Sequence, residues 1–155
     1  ERHQIQDFRQ DHDLLNEVLQ KCIQFKAAVV QKDAFEQHDR KKLNFGHTLG
    51  HAIELATQMP HGFAVSIGMT VAAQLSAQLG RMQLEEAVRI EQLLLQYQLP
   101  TRTSLPLEEL WPILLKDKKQ ALGKIDFILL EGIGSAIIQS LSTLDLYNEL
   151  KRTGL

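Results

Sequence analysis

Three of the six histidines lie within the eighteen residues from position 44 to 61. His47 and His51 are four residues apart, so on a helix they project from one face, one turn above the other. Imidazole is the commonest metal ligand in proteins and is well suited to proton transfer near neutral pH. With His61 close behind, the pattern indicates a metal site, or a metal ligand beside an acid–base group. The spacing alone is equally compatible with three histidines that neither bind a metal nor transfer protons.

The elements that must position these rings are helices, because apolar residues recur along most of the chain at helical spacing. Gly80 has the position of a helix C-cap, and Pro112 argues for a kink or for two short pieces. The Ala64, Gly68 and Ala72 stripe of small residues predicts a close helix neighbour. The predicted helices cover 13–32, 44–58, 63–79, 84–97, 107–115 and 142–150, and a hairpin joins 125–130 to 136–138. The predicted fold class is therefore mainly α, a multi-helix bundle with a small β-hairpin near the C-terminus.

Composition places the chain among ordinary globular proteins. It has 155 residues, 44% hydrophobic and 23% charged, which predicts a single helical domain over 1–155 with its own core. A net charge of −2 favours neither nucleic acid nor membrane as a partner. A single cysteine, Cys22, predicted to lie in the core, fits a cytoplasmic location. Because the first residue is Glu1 and not methionine, we expect the chain to be a fragment of a larger protein.

Cationic side chains near the histidines are candidate anion ligands. Lys26 falls on the predicted apolar face of the first helix, where a lysine must extend to solvent or meet an anion. Arg40 lies four residues before Asn44, although a basic triplet such as Arg40-Lys41-Lys42 is more often a solvated turn. The pair Lys118 and Lys119 forms a second short cluster of the same kind.

Together these residues resemble a known family, the 3-dehydroquinate synthases. The run Leu-Asn-Phe-Gly-His-Thr-Leu-Gly-His-Ala-Ile-Glu at 43–54 is similar to the family signature. The stretch His-Gly-Phe-Ala-Val-Ser-Ile-Gly-Met at 61–69 resembles the next block, and Lys26 falls where the family keeps a substrate-binding lysine. Residues 117–119, 127–130 and 133–134 resemble its C-terminal stretch, so the likeness runs roughly from Lys26 to Ala136.

The resemblance implies the C-terminal, metal- and substrate-binding domain of such an enzyme. Family members convert the sugar phosphate 3-deoxy-D-arabino-heptulosonate 7-phosphate to 3-dehydroquinate and phosphate in the shikimate pathway. They use NAD and a divalent metal, zinc or cobalt, and the full enzyme is expected to be a homodimer. The NAD-binding N-terminal domain is expected to lie outside the 155 residues.

The resemblance also assigns roles to individual residues. It implies that His47 and His61 are metal ligands and that His51 transfers protons beside the substrate. It further implies that five polar residues bind substrate groups, the last two being alternatives at the phosphate side: Lys26, Arg40, Asn44, Lys118 and Lys119.

Two features depart from the family pattern. The glutamate that serves as third metal ligand in the family is expected before Glu1, with Glu54 as a conceivable replacement. Phe63 stands where the family usually has a glutamate, which puts the tuning of the metal in doubt. Alternatives are a related sugar-phosphate cyclase, an iron- or glycerol-type dehydrogenase, or a non-catalytic helical module that keeps the fold for partner binding.

Overall fold

Seven α-helices, one 3-10 helix and one β-hairpin make up the fold in a computed structural model that describes residues 2–35, 39–117 and 123–155. The mainly helical fold class and the C-terminal hairpin are confirmed. The elements, in chain order, are α1 (Ile5–Gln10), α2 (His12–Lys32), the 3-10 helix (Asp39–Asn44), α3 (His47–Thr57), α4 (His61–Gln78), α5 (Leu84–Gln96), α6 (Leu107–Asp117), β1 (Lys124–Gly132), β2 (Ser135–Ser142) and α7 (Thr143–Arg152).

Helix α4 lies at the centre of the molecule and contacts α3, α5, α7 and β1. Its residues are apolar or small on nearly every side, and ten of its 18 residues are buried. A helix that is apolar all round needs partners all round, which explains its central position. The main core joins its inner side chains to Leu49 and Ile53 of α3, to α6 and to β1.

The hairpin closes one side of this core. Strands β1 and β2 are antiparallel, with Ile128 opposite Ile138, and the turn at Ile133–Gly134 falls between the two predicted strands. Both strands are longer than predicted. The backbone N–H of Leu130 donates to the Ser76 hydroxyl of α4 at 2.9 Å, which links the hairpin to the central helix.

Helix α2 has the predicted position but not the predicted burial. None of its residues is buried, and Cys22, predicted to lie in the core, is exposed. The prediction of an inward face was wrong because α2 contacts α1 and the 3-10 helix, and these short elements leave its apolar side exposed. Helix α1 was not predicted, since its six residues offer too short a stretch for periodicity.

Pro112 lies inside one helix, α6, so the alternative of two separate pieces was wrong. A proline removes one backbone donor from a helix interior. Leu110 and Leu114, on either side of it, are buried in the main core and hold the helix together across the missing hydrogen bond.

No helix in the described part of the chain is both long and apolar enough to cross a membrane.

Candidate metal centre

The site lies between α3 and the start of α4, which pack against each other in opposite directions. His47 is the first residue of α3 and His61 is the first residue of α4, while His51 follows one turn into α3. Gln58, with a left-handed φ of 57°, ends α3 and reverses the chain ahead of Pro60. The reversal brings the three imidazoles into a triangle. The ring centres are 5.5 Å apart for His47 and His51, 5.3 Å for His47 and His61, and 5.8 Å for His51 and His61.

Two glycines allow the helices to approach closely enough for this triangle. A Cβ on Gly68 of α4 would lie 2.0 Å from the carbonyl oxygen of Gly46, so no side chain fits there. Gly46 precedes α3 with φ +81°, a conformation that glycine adopts readily. The predicted close contact of the small-residue stripe is therefore confirmed at Gly68. The sequence reading missed Gly46 as its partner, although a glycine directly before a predicted helix is a usable signal.

Backbone and carboxylate acceptors fix which ring nitrogen each outer histidine can offer. His47 Nδ1 lies 3.3 Å from the carbonyl oxygen of Phe45, and His61 Nδ1 lies 2.8 Å from Glu54 Oε2. Carbonyl and carboxylate oxygens only accept hydrogen bonds, so both Nδ1 atoms must carry the proton. In the neutral form of each ring, Nε2 then keeps its lone pair, which is the form a metal requires.

Burial, the largest cause, lowers the pKa of His47 below its usual value, and the nearby His51 and His61 rings act in the same direction. A hydrogen bond to the Phe45 carbonyl opposes this shift. His47 therefore stays neutral, and able to bind a cation, down to a lower pH than an exposed histidine.

The donor set fits a divalent ion such as zinc or cobalt. Two imidazoles that bind one tetrahedral ion at about 2.0–2.1 Å have ring centres roughly 5 Å apart. The 5.3 Å between His47 and His61 agrees with that arrangement. In the described part of the chain, one group of three possible ligands has all its ligand atoms within 4.8 Å of one another, and it consists of His51, Glu54 and His61. This group contains the predicted ligand His61 but not His47, which is related to it here by the distances between ring centres.

The polar residues predicted to bind substrate have more varied positions. Asn44 ends the 3-10 helix three residues before His47 and is exposed. The Arg40 guanidinium donates to the Ala34 carbonyl at 2.8 Å, and Lys26 is exposed on α2. The convergence of these three on the histidines stays a prediction.

The other basic residues of this region have structural partners or cannot be placed. Lys41 forms an ion pair with Asp126 of β1 at 3.0 Å, and Lys42 pairs with Asp39 at 2.8 Å, so much of the basic triplet serves local structure. Lys118 and Lys119 lie outside the described residues.

Comparisons with solved structures define the class of fold first. The structure aligns with 2-deoxy-scyllo-inosose synthase in complex with carbaglucose-6-phosphate, NAD+ and Co2+ at a TM-score of 0.73 and 23% identity, covering 84% of this chain and 40% of that one. It aligns with ValA, the 2-epi-5-epi-valiolone synthase of Streptomyces hygroscopicus subsp. jinggangensis with NAD+ and Zn2+ bound, at a TM-score of 0.75 and 22% identity, covering 89% and 39%. The fold is therefore one that these synthases contain.

Sequence comparison identifies the particular family. The family described as 3-dehydroquinate synthase C-terminal matches residues 1–120. The 3-dehydroquinate synthase of Wolinella succinogenes is 43% identical over 128 residues, covering 80% of this chain and 37% of that protein. That of Haemophilus ducreyi is 38% identical over 149 residues, covering 92% and 41%. This chain belongs to the 3-dehydroquinate synthase C-terminal family, and it spans 33 to 41% of the length of these and similar relatives.

Proposed function

We propose that this chain forms the metal- and substrate-binding part of a 3-dehydroquinate synthase, which converts 3-deoxy-D-arabino-heptulosonate 7-phosphate to 3-dehydroquinate and phosphate. The observation that carries the proposal is the triangle of His47, His51 and His61, with ring centres 5.3 to 5.8 Å apart at the start of two helices. A non-catalytic module has no need of three imidazoles in one place with two of them held in a metal-binding tautomer.

In this proposal His47 and His61 hold the divalent metal through Nε2. Such an ion, zinc or cobalt, polarises a substrate hydroxyl and so favours its oxidation. His51, in the same triangle but one turn further along α3, accepts and returns the proton of a substrate oxygen. Because His51 lies one turn after His47 on the same helix, the helix sets its distance from that metal ligand.

The substrate carries a carboxylate, hydroxyls and a phosphate, so it needs cations and amides around it. We assign the carboxylate and hydroxyl groups to Lys26, Arg40 and Asn44, and the phosphate side to Lys118 or Lys119. These assignments rest on the family resemblance and on the place of Asn44 beside His47.

We place the NAD site outside the 155 residues. The basis is that the chain contains no glycine-rich dinucleotide motif and spans only 37 and 41% of the two relatives described above. We therefore expect these 155 residues alone to show no measurable NAD binding by calorimetry and no release of phosphate. We further propose, from the family resemblance alone, that the full enzyme is a cytoplasmic homodimer.

The first test is metal binding by the chain itself. Titration with Co2+, followed by calorimetry and by the visible absorption of the ion, should show one weak site, since the third ligand of the family is expected elsewhere. His47→Ala and His61→Ala should each abolish it, whereas His12→Ala, a change at an exposed histidine of α2, should leave it intact. Equal affinity in all three variants would overturn the metal assignment.

The second test is activity. The chain can replace the matching segment of the Wolinella succinogenes enzyme, with which it shares 43% identity. The chimera should release phosphate from the heptulosonate phosphate in the presence of NAD and Co2+. In the chimera, His51→Gln should lower kcat strongly and change KM much less. A folded chimera that binds both NAD and Co2+ but releases no phosphate would contradict the proposed reaction and favour a related cyclase with another substrate.

A further inference from the structure

We propose that Glu54 is the positioning residue of the metal centre: its carboxylate holds the Nδ1–H of His61 and thereby presents Nε2 to the ion. The inference deepens the proposed function and rests on it, because it assumes that His61 is a metal ligand. From the sequence, Glu54 was expected only as a conceivable replacement for the family's third metal ligand, which is a different role.

The distance between the two side chains favours a hydrogen bond over joint coordination of one ion. Glu54 Oε2 and His61 Nδ1 are 2.8 Å apart. An oxygen and a nitrogen that bind the same tetrahedral ion at about 2.0–2.2 Å lie roughly 3.3 Å from each other. A separation of 2.8 Å is that of a charge-assisted N–H···O bond. The carboxylate oxygen can only accept, so the ring must donate from Nδ1.

The placement of Glu54 within its helix supports a role outside that helix. Glu54 lies in the last turn of α3, where the negative end of the helix dipole disfavours a carboxylate. Its side chain is 35% exposed, and it reaches the first residue of α4, where the positive end of that helix favours an anion. The electrostatics of the pair therefore favour the contact between helices over a position within α3.

The remaining geometry shows why orientation matters here. His61 is 51% exposed, so packing holds its ring only in part, and a hydrogen bond must supply the rest. His47 is held in the same sense by the Phe45 carbonyl, 3.3 Å from its Nδ1. Two outer ligands that each use Nδ1 as a donor leave two Nε2 atoms for one ion. Hydrogen-bond partners of this kind typically contribute 10–100-fold to metal affinity.

The test uses the 155-residue chain labelled with nitrogen-15. Long-range proton–nitrogen correlation spectra of the metal-free protein should show His61 protonated at Nδ1, with the signals assigned by their loss in His61→Gln. In Glu54→Ala the proton should move to Nε2 in a large share of the molecules. In Glu54→Gln it should stay on Nδ1, because the amide oxygen still accepts. Glu85→Ala, at an exposed glutamate of α5, is the matched control and should change nothing.

Zn2+ titrations of the same variants supply the second measurement. Affinity should fall about 10–100-fold in Glu54→Ala and less in Glu54→Gln, with no change in Glu85→Ala. In the zinc-loaded wild type, Nδ1 of His61 should stay protonated while Nε2 shows the shift of a metal-bound nitrogen. Coordination through Nδ1, a proton on Nε2 in the wild type, or unchanged affinity in Glu54→Ala would each overturn the inference.

Failure of the proposed function has a different signature. If the wild-type chain binds neither Zn2+ nor Co2+, the metal centre is wrong and the positioning role falls with it; the protonation of His61 then reports only whether its hydrogen bond with Glu54 forms. If the wild type binds zinc and Glu54→Ala binds it equally well, the metal centre stands and the positioning role fails.

Discussion

Helices α2 and α3 both carry apolar residues at helical spacing, yet only α3 buries them. Leu49 and Ile53 of α3 are fully buried, whereas Ile23 and Phe25 of α2 are each 66% exposed. Helix α3 contacts α4 and α6, while the main contacts of α2 are with two short elements, α1 and the 3-10 helix. Periodicity thus defines an apolar face, but the neighbours decide whether that face becomes core. The three histidines of the site belong to the packed helices α3 and α4, whereas the predicted substrate ligand Lys26 belongs to the exposed helix α2.

The close contact of α3 and α4 is where the largest effect is expected. Gly68→Ala should destabilise the fold by roughly 3 kcal/mol or more, because the new Cβ would lie 2.0 Å from the Gly46 oxygen and both backbones would have to separate. Metal binding should weaken together with stability, since the same contact positions the histidine triangle. Urea denaturation measures the loss.

Gly62 supplies the control for that change within the same helix. No atom lies within 4 Å of a Cβ at Gly62, so Gly62→Ala should be neutral or stabilising by up to about 1 kcal/mol from helix propensity. A Gly68→Ala variant that is as stable as Gly62→Ala would show that the helices do not need their close approach.

A matched pair of isoleucines tests the comparison between the two helices directly. Ile53→Ala in α3 should cost about 2–5 kcal/mol in the free energy of unfolding, as expected for a fully buried side chain. Ile23→Ala in α2 removes the same atoms from an exposed position and should stay within about 0.5 kcal/mol of the wild type. Chemical denaturation of both variants under one set of conditions gives the two values. Similar losses would mean that α2 has a packed partner in solution.

Features of the fold and of the site were predictable from the sequence where the interacting residues belong to one helix or one turn. The helices around the histidines and the hairpin turn at Ile133–Gly134 follow from local periodicity and turn residues, so the sequence predicts them well. The contact between Glu54 and His61 depends on the reversal after Gln58, which brings residues seven apart on different helices together. Spacing along one helix does not contain that information. The exposure of the apolar face of α2 was missed for the same reason, because the sequence of a helix does not show which elements pack against it.

A smaller and more local effect is expected at the start of α2. The Asp11 side chain accepts hydrogen bonds from the backbone N–H groups of Asp13 and Leu14, at 3.0 and 2.9 Å, and so caps the helix. Asp11→Ala should cost the helix about 1 kcal/mol. Since α2 shares little core with the rest, this loss should appear as faster amide exchange in the first turns of α2. The urea midpoint of the whole domain should not move, and Asp11→Asn, which keeps the cap, should restore the exchange rates.

The smallest effect concerns a surface pair on α2, where solvent screens every interaction. Glu17 accepts a hydrogen bond from Lys21 one turn later, and this bond together with the lysine charge lowers the pKa of Glu17 below its usual value. A carboxylate whose pKa is lowered on folding stabilises the helix when the pH is above its pKa in the unfolded state. That contribution is lost as the pH falls through its pKa in the folded state. Lys21→Ala should raise the pKa of Glu17 toward that of a free glutamate in an NMR titration, and the shift should shrink with added salt in the wild type. Stability should barely change, because both side chains are exposed and such pairs contribute little. A clear drop in the unfolding midpoint with Lys21→Ala would instead show that surface pairs hold α2 in place, in direct contrast to the packed helices α3 and α4.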